Sequence, residues 1–226
     1  GLFMRTNLPG LARLLWNEGG MGPYYVALWV WMRFGHSDWW IRMFSVAGAT
    51  VAVLAVYVLA RRLGGRATAV LASVAILANQ AFQQHWSEAR DYTWLAAVAV
   101  VALLCYAAFR STPTWGWTIA SSVLNGLLLA LSPFAAPLVV LQWAWSARSW
   151  RDMHSRGRLT TWVLGSTLIL LPFMHALLTT DNVDWIPPLT RRQLRLGIPE
   201  SAGGGWWCVI LFLGCLALVE IGRAHV

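Results

Sequence analysis

Apolar residues run along this chain in long stretches, and charged residues are confined to short groups between them. A helix needs about 20 apolar residues to cross a bilayer core, with a range of ~17–25. Trp40–Leu59 reaches that length and stops at Arg61-Arg62. Tyr92–Ala108 reaches it and stops at Arg110, and Leu159–Leu178 starts just after Arg158. Three more runs, Thr68–Phe82, Trp117–Leu131 and Pro133–Ala147, are shorter but carry no charge. Ser132-Pro133 reads as a tight connection between the last two. Trp206–Val219 begins another span. One such run would fit a buried helix of a soluble protein. So many in succession predict an all-α, multi-pass membrane protein with about seven transmembrane helices.

The segment before the first span has a different pattern. Leu8, Leu11, Leu14 and Leu15 recur at helical spacing, with Pro9 near the helix start. Asn17-Glu18-Gly19-Gly20 breaks that helix, and Gly22-Pro23 opens a second apolar run, Tyr24–Phe34, too short to span. The pattern predicts two short amphipathic helices lying on the outer membrane surface. Residues 1–39 then form an outer-face loop and residues 40–219 the transmembrane region. Gly1 is not Met and no signal peptide precedes the first apolar segment, so the start reads as an interior point of a longer protein. Residues 220–226, EIGRAHV, match the translation of a common short-read sequencing adapter and are set aside as an artefact.

Loop charge predicts the orientation. Alternate loops hold Arg61, Arg62, Arg66, Arg110, Arg148, Arg151, Arg156 and Arg158 against a single acid, Asp152. That side is cytoplasmic by the positive-inside rule. The other side mixes Glu18, Asp38, Glu88, Asp91, Asp181, Asp184 and Glu200 with a comparable set of arginines. Trp39, Trp40, Trp86, Trp115, Trp117, Trp150, Trp162, Trp206 and Trp207 lie at or near span ends, as an aromatic belt requires.

Composition narrows the class further. Of 226 residues, 58% are hydrophobic and only 12% charged, against ~25% charged in an ordinary soluble domain. Disorder is excluded by the apolar content, and a soluble enzyme could not cover its surface with so few charges. The three Cys fall inside apolar runs, with no disulfide framework or metal-ligand spacing. The net charge of +8 comes from 17 Arg, with no Lys, against 9 acids. A nucleic-acid binder gathers such charge on one face. Here it is dispersed between spans, so no nucleic-acid partner is expected.

The outer face carries the candidate chemistry. Glu18 sits in the turn between the two short helices and is either a solvated turn acid or a site residue. Gln83–Tyr92 packs polar and aromatic side chains between two spans. Arg90 there suits a phosphate, because its planar fork pairs two oxygens; Glu88 and Asp91 can instead simply pair with Arg90. Thr179–Gly205 is long for an inter-span loop and holds Arg191, Arg192 and Arg195 behind Asp184-Trp185-Ile186-Pro187-Pro188. These arginines either bind an anion or lie too far from a span to affect topology. No P-loop and no GxGxxG after a strand is present, so an enzyme of this kind would take its donor from the membrane.

The order LPGLARLLW, an acidic turn, GPYYVALWVWMRFG, SDWWIRMFSV, VYVLARRLGGR and SEARDY resembles the GT-C glycosyltransferases. The likeness is greatest to the bacterial branch related to protein O-mannosyltransferases and lipid A aminoarabinose transferases, as found in actinobacteria. It covers roughly Leu8 to Phe109, with weaker agreement through Trp185. The resemblance implies a plasma-membrane enzyme that moves a sugar, mannose being the first candidate, from a polyprenyl-phosphate donor to an acceptor on the outer face. It implies a general-base Asp just after the first family span, which the alignment puts a few residues before Gly1. It matches Glu18 to a second acidic position used for catalysis, metal or acceptor binding, and so allows a divalent metal. The His that relatives often have three residues later is Met21 here. It matches Tyr24 and Tyr25 to a membrane-edge helix shaping the cavity. Glu88, Arg90 and Tyr92 fall in the donor-binding segment, with Arg90 on the lipid phosphate. In that segment the Gln expected after Ser is absent and Asp91 replaces the usual Pro. The alternative class is a non-enzymatic transporter or flippase for a lipid-linked sugar, which would place ionisable residues inside its spans.

Overall fold

The computed structural model describes residue 10 and residues 21–112, 114–132, 135–147 and 158–168. Helices α1 (Gly22–Trp31), α2 (Asp38–Ala78), α3 (Gln80–His85), α4 (Tyr92–Ser111), α5 (Trp115–Leu131) and α6 (Ala136–Ala147) follow in order. A seventh helical stretch, α7, covers 158–168. The described residues contain no strand, so the all-α expectation holds for them. Two helices, α2 and α4, are long and apolar enough to cross a membrane by length and composition, and α5 is apolar but shorter. The expected runs at 40–59, 68–82, 92–108, 117–131 and 133–147 all fall largely on helices. The run from Leu159 is helical as far as residue 168, and its remainder and Trp206–Val219 lie outside the described residues.

Local sequence explains where the helices begin. Ser37 caps α2, its hydroxyl accepting from the Trp40 amide at 3.2 Å. Asn79 caps α3 by accepting from the Phe82 amide at 3.0 Å, and Thr114 caps α5. Pro23 stands in the first turn of α1, where its missing N–H costs nothing.

Helix α2 cannot be one straight rod. Its 41 residues would extend about 60 Å at 1.5 Å per residue. Yet Asp38 and Arg42 line one cleft together with Gln84, Ser87 and Arg90. The reversal falls at Gly65, whose φ of 82° and ψ of −170° break the helical path. From Arg42 to Gly64 the helix rises about 33 Å, and residues 66–85 provide about 30 Å for the return. The apolar runs at 40–59 and 68–82 are therefore the two arms of a hairpin.

Helix α4 packs against α2 on one side and α5 on the other. The α2 contact is made by small residues: Gly48, Ala49, Ala52 and Ala55 on α2, and Ala97 and Ala102 on α4, are buried. A Cβ at Gly48 would lie 3.0 Å from Thr93 Oγ1 and from the Trp94 ring, so the backbones approach closely there. Trp94 Nε1 donates to the Phe44 carbonyl at 2.9 Å and fixes the register of the pair.

Helix α1 is clasped to α2 by two tryptophans. Trp31 Nε1 donates to Trp40 O at 2.9 Å, and Trp40 Nε1 donates to Trp31 O at 3.1 Å. Their rings stack at 4.7 Å between centroids. This clasp presses Tyr24, Leu28 and Met32 onto Phe44 and Leu131. The second of the two predicted surface helices thus forms, but it is not amphipathic. It carries no charge, and its outward residues Val26, Ala27 and Val30 are as apolar as its buried ones. The first predicted surface helix lies outside the described residues, apart from Gly10.

At the other end of the bundle, Phe109, Leu159 and Trp162 form a second core. Between α5, α6 and α7, polar but uncharged buried contacts stand beside an apolar cluster of Leu128, Leu129 and Val139. Asn125 Nδ2 donates to Gln142 Oε1 at 2.9 Å, and Trp162 Nε1 donates to Ser121 Oγ at 3.0 Å. Such bonds hold helices together where burial of apolar area supplies little drive.

Candidate functional site

The first turn of α2 and the 84–90 segment, which the hairpin brings back beside it, enclose an open cleft of about 640 Å³. From α2 come Asp38, Ile41 and Arg42; from the returning segment come Gln84, Ser87, Glu88, Ala89 and Arg90. Asp38 and Arg42 are four residues apart and therefore share one face of the helix. The cleft thus holds two guanidinium groups and two carboxylates.

Arg90 stands at the rim with 62% of its side chain exposed. The Tyr92 side chain beside it accepts a hydrogen bond and, with its own negative potential and the Glu88 carboxylate, holds the Arg90 pKa above its ordinary value. Tyr25 contributes in the same direction from α1. Glu88 is nearer to another partner. Its Oε2 lies 2.9 Å from His85 Nδ1 and 4.0 Å from Arg90 Nε. The His85 ring in turn packs on the Tyr92 ring at 4.5 Å. Arg90 is therefore a cation whose acid is chiefly engaged elsewhere.

Beneath the cleft lies a buried polar layer. Tyr24 is 2% exposed and Asp91 1%. Burial pushes the Tyr24 phenol up to about 12, and the neighbouring Ser45 hydroxyl offsets part of that. Ser45 Oγ donates to the Arg90 carbonyl at 3.4 Å and so ties α2 to the segment that carries the cation. Burial also raises the Asp91 pKa, against its own backbone N–H and the Arg90 charge, which lower it. Tyr24 Oη, Asp91 Oδ1 and Thr93 Oγ1 are buried without a hydrogen-bond partner.

Five of the six residues singled out from sequence lie at this end of the bundle. Glu88 and Arg90 line the cleft, Tyr92 and Tyr25 flank Arg90, and Tyr24 lies in the layer below. Glu18 lies outside the described residues. Pairing of Arg90 with both acids does not occur. Glu88 turns mainly to His85, and Asp91 is buried behind the rim rather than facing the cleft. Sequence reasoning did not single out Asp38 and Arg42 as site residues. The available signal was their four-residue spacing at the start of a span whose partner loop returns to the same end.

Among the described residues, no three His, Cys, Asp or Glu side chains converge as metal ligands. Glu18, the residue that the resemblance ties to a metal, lies outside the described residues. Compared with family models, curated proteins and solved structures, the chain matches none.

Proposed function

We propose that the chain is the donor-binding part of an integral-membrane glycosyltransferase of the GT-C type. It spans the bacterial plasma membrane about seven times and takes its sugar from a polyprenyl phosphate. The observation that carries this reading is the setting of Arg90. It is an exposed guanidinium on the cleft rim, beside Tyr92 and Tyr25, with its acid 4.0 Å away. A membrane setting is supported by the two apolar helices, each with only 33% of its most apolar window buried. Leu54, Leu71 and Leu141 project outward, where water would penalise them and acyl chains would not.

The chemistry follows from that arrangement. Attack by an acceptor hydroxyl on the anomeric carbon forms the new glycosidic bond. The bond from that carbon to the phosphate oxygen breaks, and its electron pair leaves on the lipid phosphate. Arg90 meets the negative charge where it develops, through two parallel N–H···O contacts. A carboxylate takes the acceptor proton. Glu18 is the candidate for that role by resemblance. Ionisable side chains inside the spans would favour a transporter. Among the described residues the polar groups between α5, α6 and α7 are uncharged amides, hydroxyls and indoles, which favours an enzyme working at the interface.

A photoreactive polyprenyl-phosphate sugar, added to the chain in lipid nanodiscs, tests the reading. Labelling should be competed by unlabelled lipid-linked sugar and not by nucleotide sugars, and should fall at least tenfold, on the order of one lost charge-assisted bidentate contact, in Arg90→Ala. Competition by a nucleotide sugar, or equal labelling of Arg90→Ala, removes the proposal.

A further inference from the structure

Arg42 is the unexplained cation of the cleft. It lies on the wall opposite the 84–90 segment, it is exposed, and among the described residues nothing pairs with it. Asp38 stands one turn away on the same helix face, the spacing at which opposite charges usually meet, yet the two form no ion pair. Asp38 occupies the first turn of α2, where the helix dipole already stabilises a carboxylate. Across the cleft, Arg90 has its acid at 4.0 Å while that acid holds His85 at 2.9 Å.

Both guanidiniums line the same open cleft, one from each wall, so an anion lying between them would meet both. Helix packing fixes both walls. The Ser45 bond to the Arg90 carbonyl and the Trp94 bond to the Phe44 carbonyl set the height of the returning segment against α2. The placement of the two cations on one cleft is thus built in by the bundle.

We propose that Arg42 and Arg90 form a two-sided clamp for one phosphate group, with Arg42 a binding residue of equal standing to Arg90. The choice of a lipid phosphate as the source rests on the function proposed above; the clamp itself requires only a phosphate anion. Each guanidinium presents a planar pair of N–H donors, so a phosphate held between them can receive donors on separate oxygens. A single arginine on one wall would leave the opposite oxygens to water.

Binding to the full chain in nanodiscs tests the clamp, with three probes: geranylgeranyl phosphate, geranylgeraniol and inorganic phosphate. Wild type, Arg42→Ala, Arg42→Lys and Arg90→Ala are compared, with Arg61→Ala as an arginine remote from the cleft. The lipid phosphate should bind and the lipid alcohol should not. Arg42→Ala and Arg90→Ala should each weaken binding by about tenfold or more, as expected for loss of a charge-assisted contact. Arg42→Lys should recover part of the loss, and the melting temperature of Arg42→Ala should not change, because Arg42 holds nothing in the fold. Loss on Arg90→Ala with none on Arg42→Ala overturns the clamp and leaves the donor reading standing. Inorganic phosphate bound through both arginines, with no preference for the lipid form, keeps the clamp and removes the donor reading. Absence of binding by both phosphate probes overturns both.

Discussion

An aspartate directly before a helix ordinarily turns its carboxylate onto the first free N–H groups. Asp91 precedes α4 but makes no such cap, and Oδ1 is buried without a partner. Its pKa is raised, chiefly by burial, so the folded protein favours the neutral acid relative to the unfolded chain. The contribution of Asp91 is therefore fully present below the ordinary value of 3.8 and is lost as pH rises through the folded value. Asp91→Asn does not titrate. At neutral pH it should melt above wild type, by an amount equivalent to about 1 kcal/mol. The gap should close as pH falls into the carboxylate range. Melting curves of the two proteins from pH 4 to 8 check this, and a gap that is constant with pH would contradict it. Sequence alone offered Asp91 as an ion-pair partner of Arg90. The side chain sits in the layer with Tyr24, away from the cleft surface, and burial of one residue among polar neighbours has no periodicity from which it could be read. Arg90 was legible because an arginine between Ser, Glu and Tyr at a span edge is chemically specific. Arg42 was not, because its role needs the opposite wall.

At the scale of elements, apolar run length located nearly every described helix, since hydrocarbon content per turn is what both a bilayer and a bundle interior select. It did not locate the tryptophan clasp between α1 and α2 or the amide pair between α5 and α6, which depend on two elements meeting. Nor did it show α1 to be apolar all round; the amphipathic expectation took shortness as a sign of a surface helix. The hairpin at Gly65 lies between. The Gly64-Gly65 pair after Arg61-Arg62 has the composition of a turn, and the structure makes the reversal at Gly65 alone, with helix on both sides. The φ and ψ of Gly65 fall in a region that is essentially glycine-only and differs from the left-handed helical well that asparagine tolerates. A Cβ at Gly65 would meet nothing within 4 Å, so substitution there costs backbone strain alone. Gly65→Ala and Gly65→Asn should therefore destabilise the chain equally, each by about 1–3 kcal/mol. Thermal unfolding followed by tryptophan fluorescence measures it, and a clear advantage of Asn over Ala would show a left-handed helical turn instead.

For the whole molecule, the hairpin makes topology and site one question. Arg42 and Arg90 share the cleft at one end, while Arg61, Arg62 and Arg66 surround the reversal at the other. Arg110 and Arg158 follow the same division. Phe109 packs on Leu159 and Trp162, and Arg158 lies 6.0 Å from the centre of the Trp115 ring, so the loops flanking α4, α5 and α7 meet at one end. Among the described residues the charges divide along the same line: that end carries no acid, whereas Asp38, Glu88 and Asp91 balance Arg33, Arg42 and Arg90 at the cleft end. Positive charge is retained on the cytoplasmic side of a bilayer, so the proposed function requires the cleft to face outward, toward its lipid-linked donor. Single cysteines introduced as Arg66→Cys and Ser87→Cys, in a chain whose three native cysteines are replaced by alanine, separate the outcomes. A membrane-impermeant maleimide applied to intact cells should label Ser87→Cys and spare Arg66→Cys until the membrane is opened. Labelling of both from outside would mean that the arms of the hairpin do not cross. The cleft arginines would then face the same medium as Arg61 and Arg62, and neither the orientation nor a donor drawn from the outer leaflet would survive.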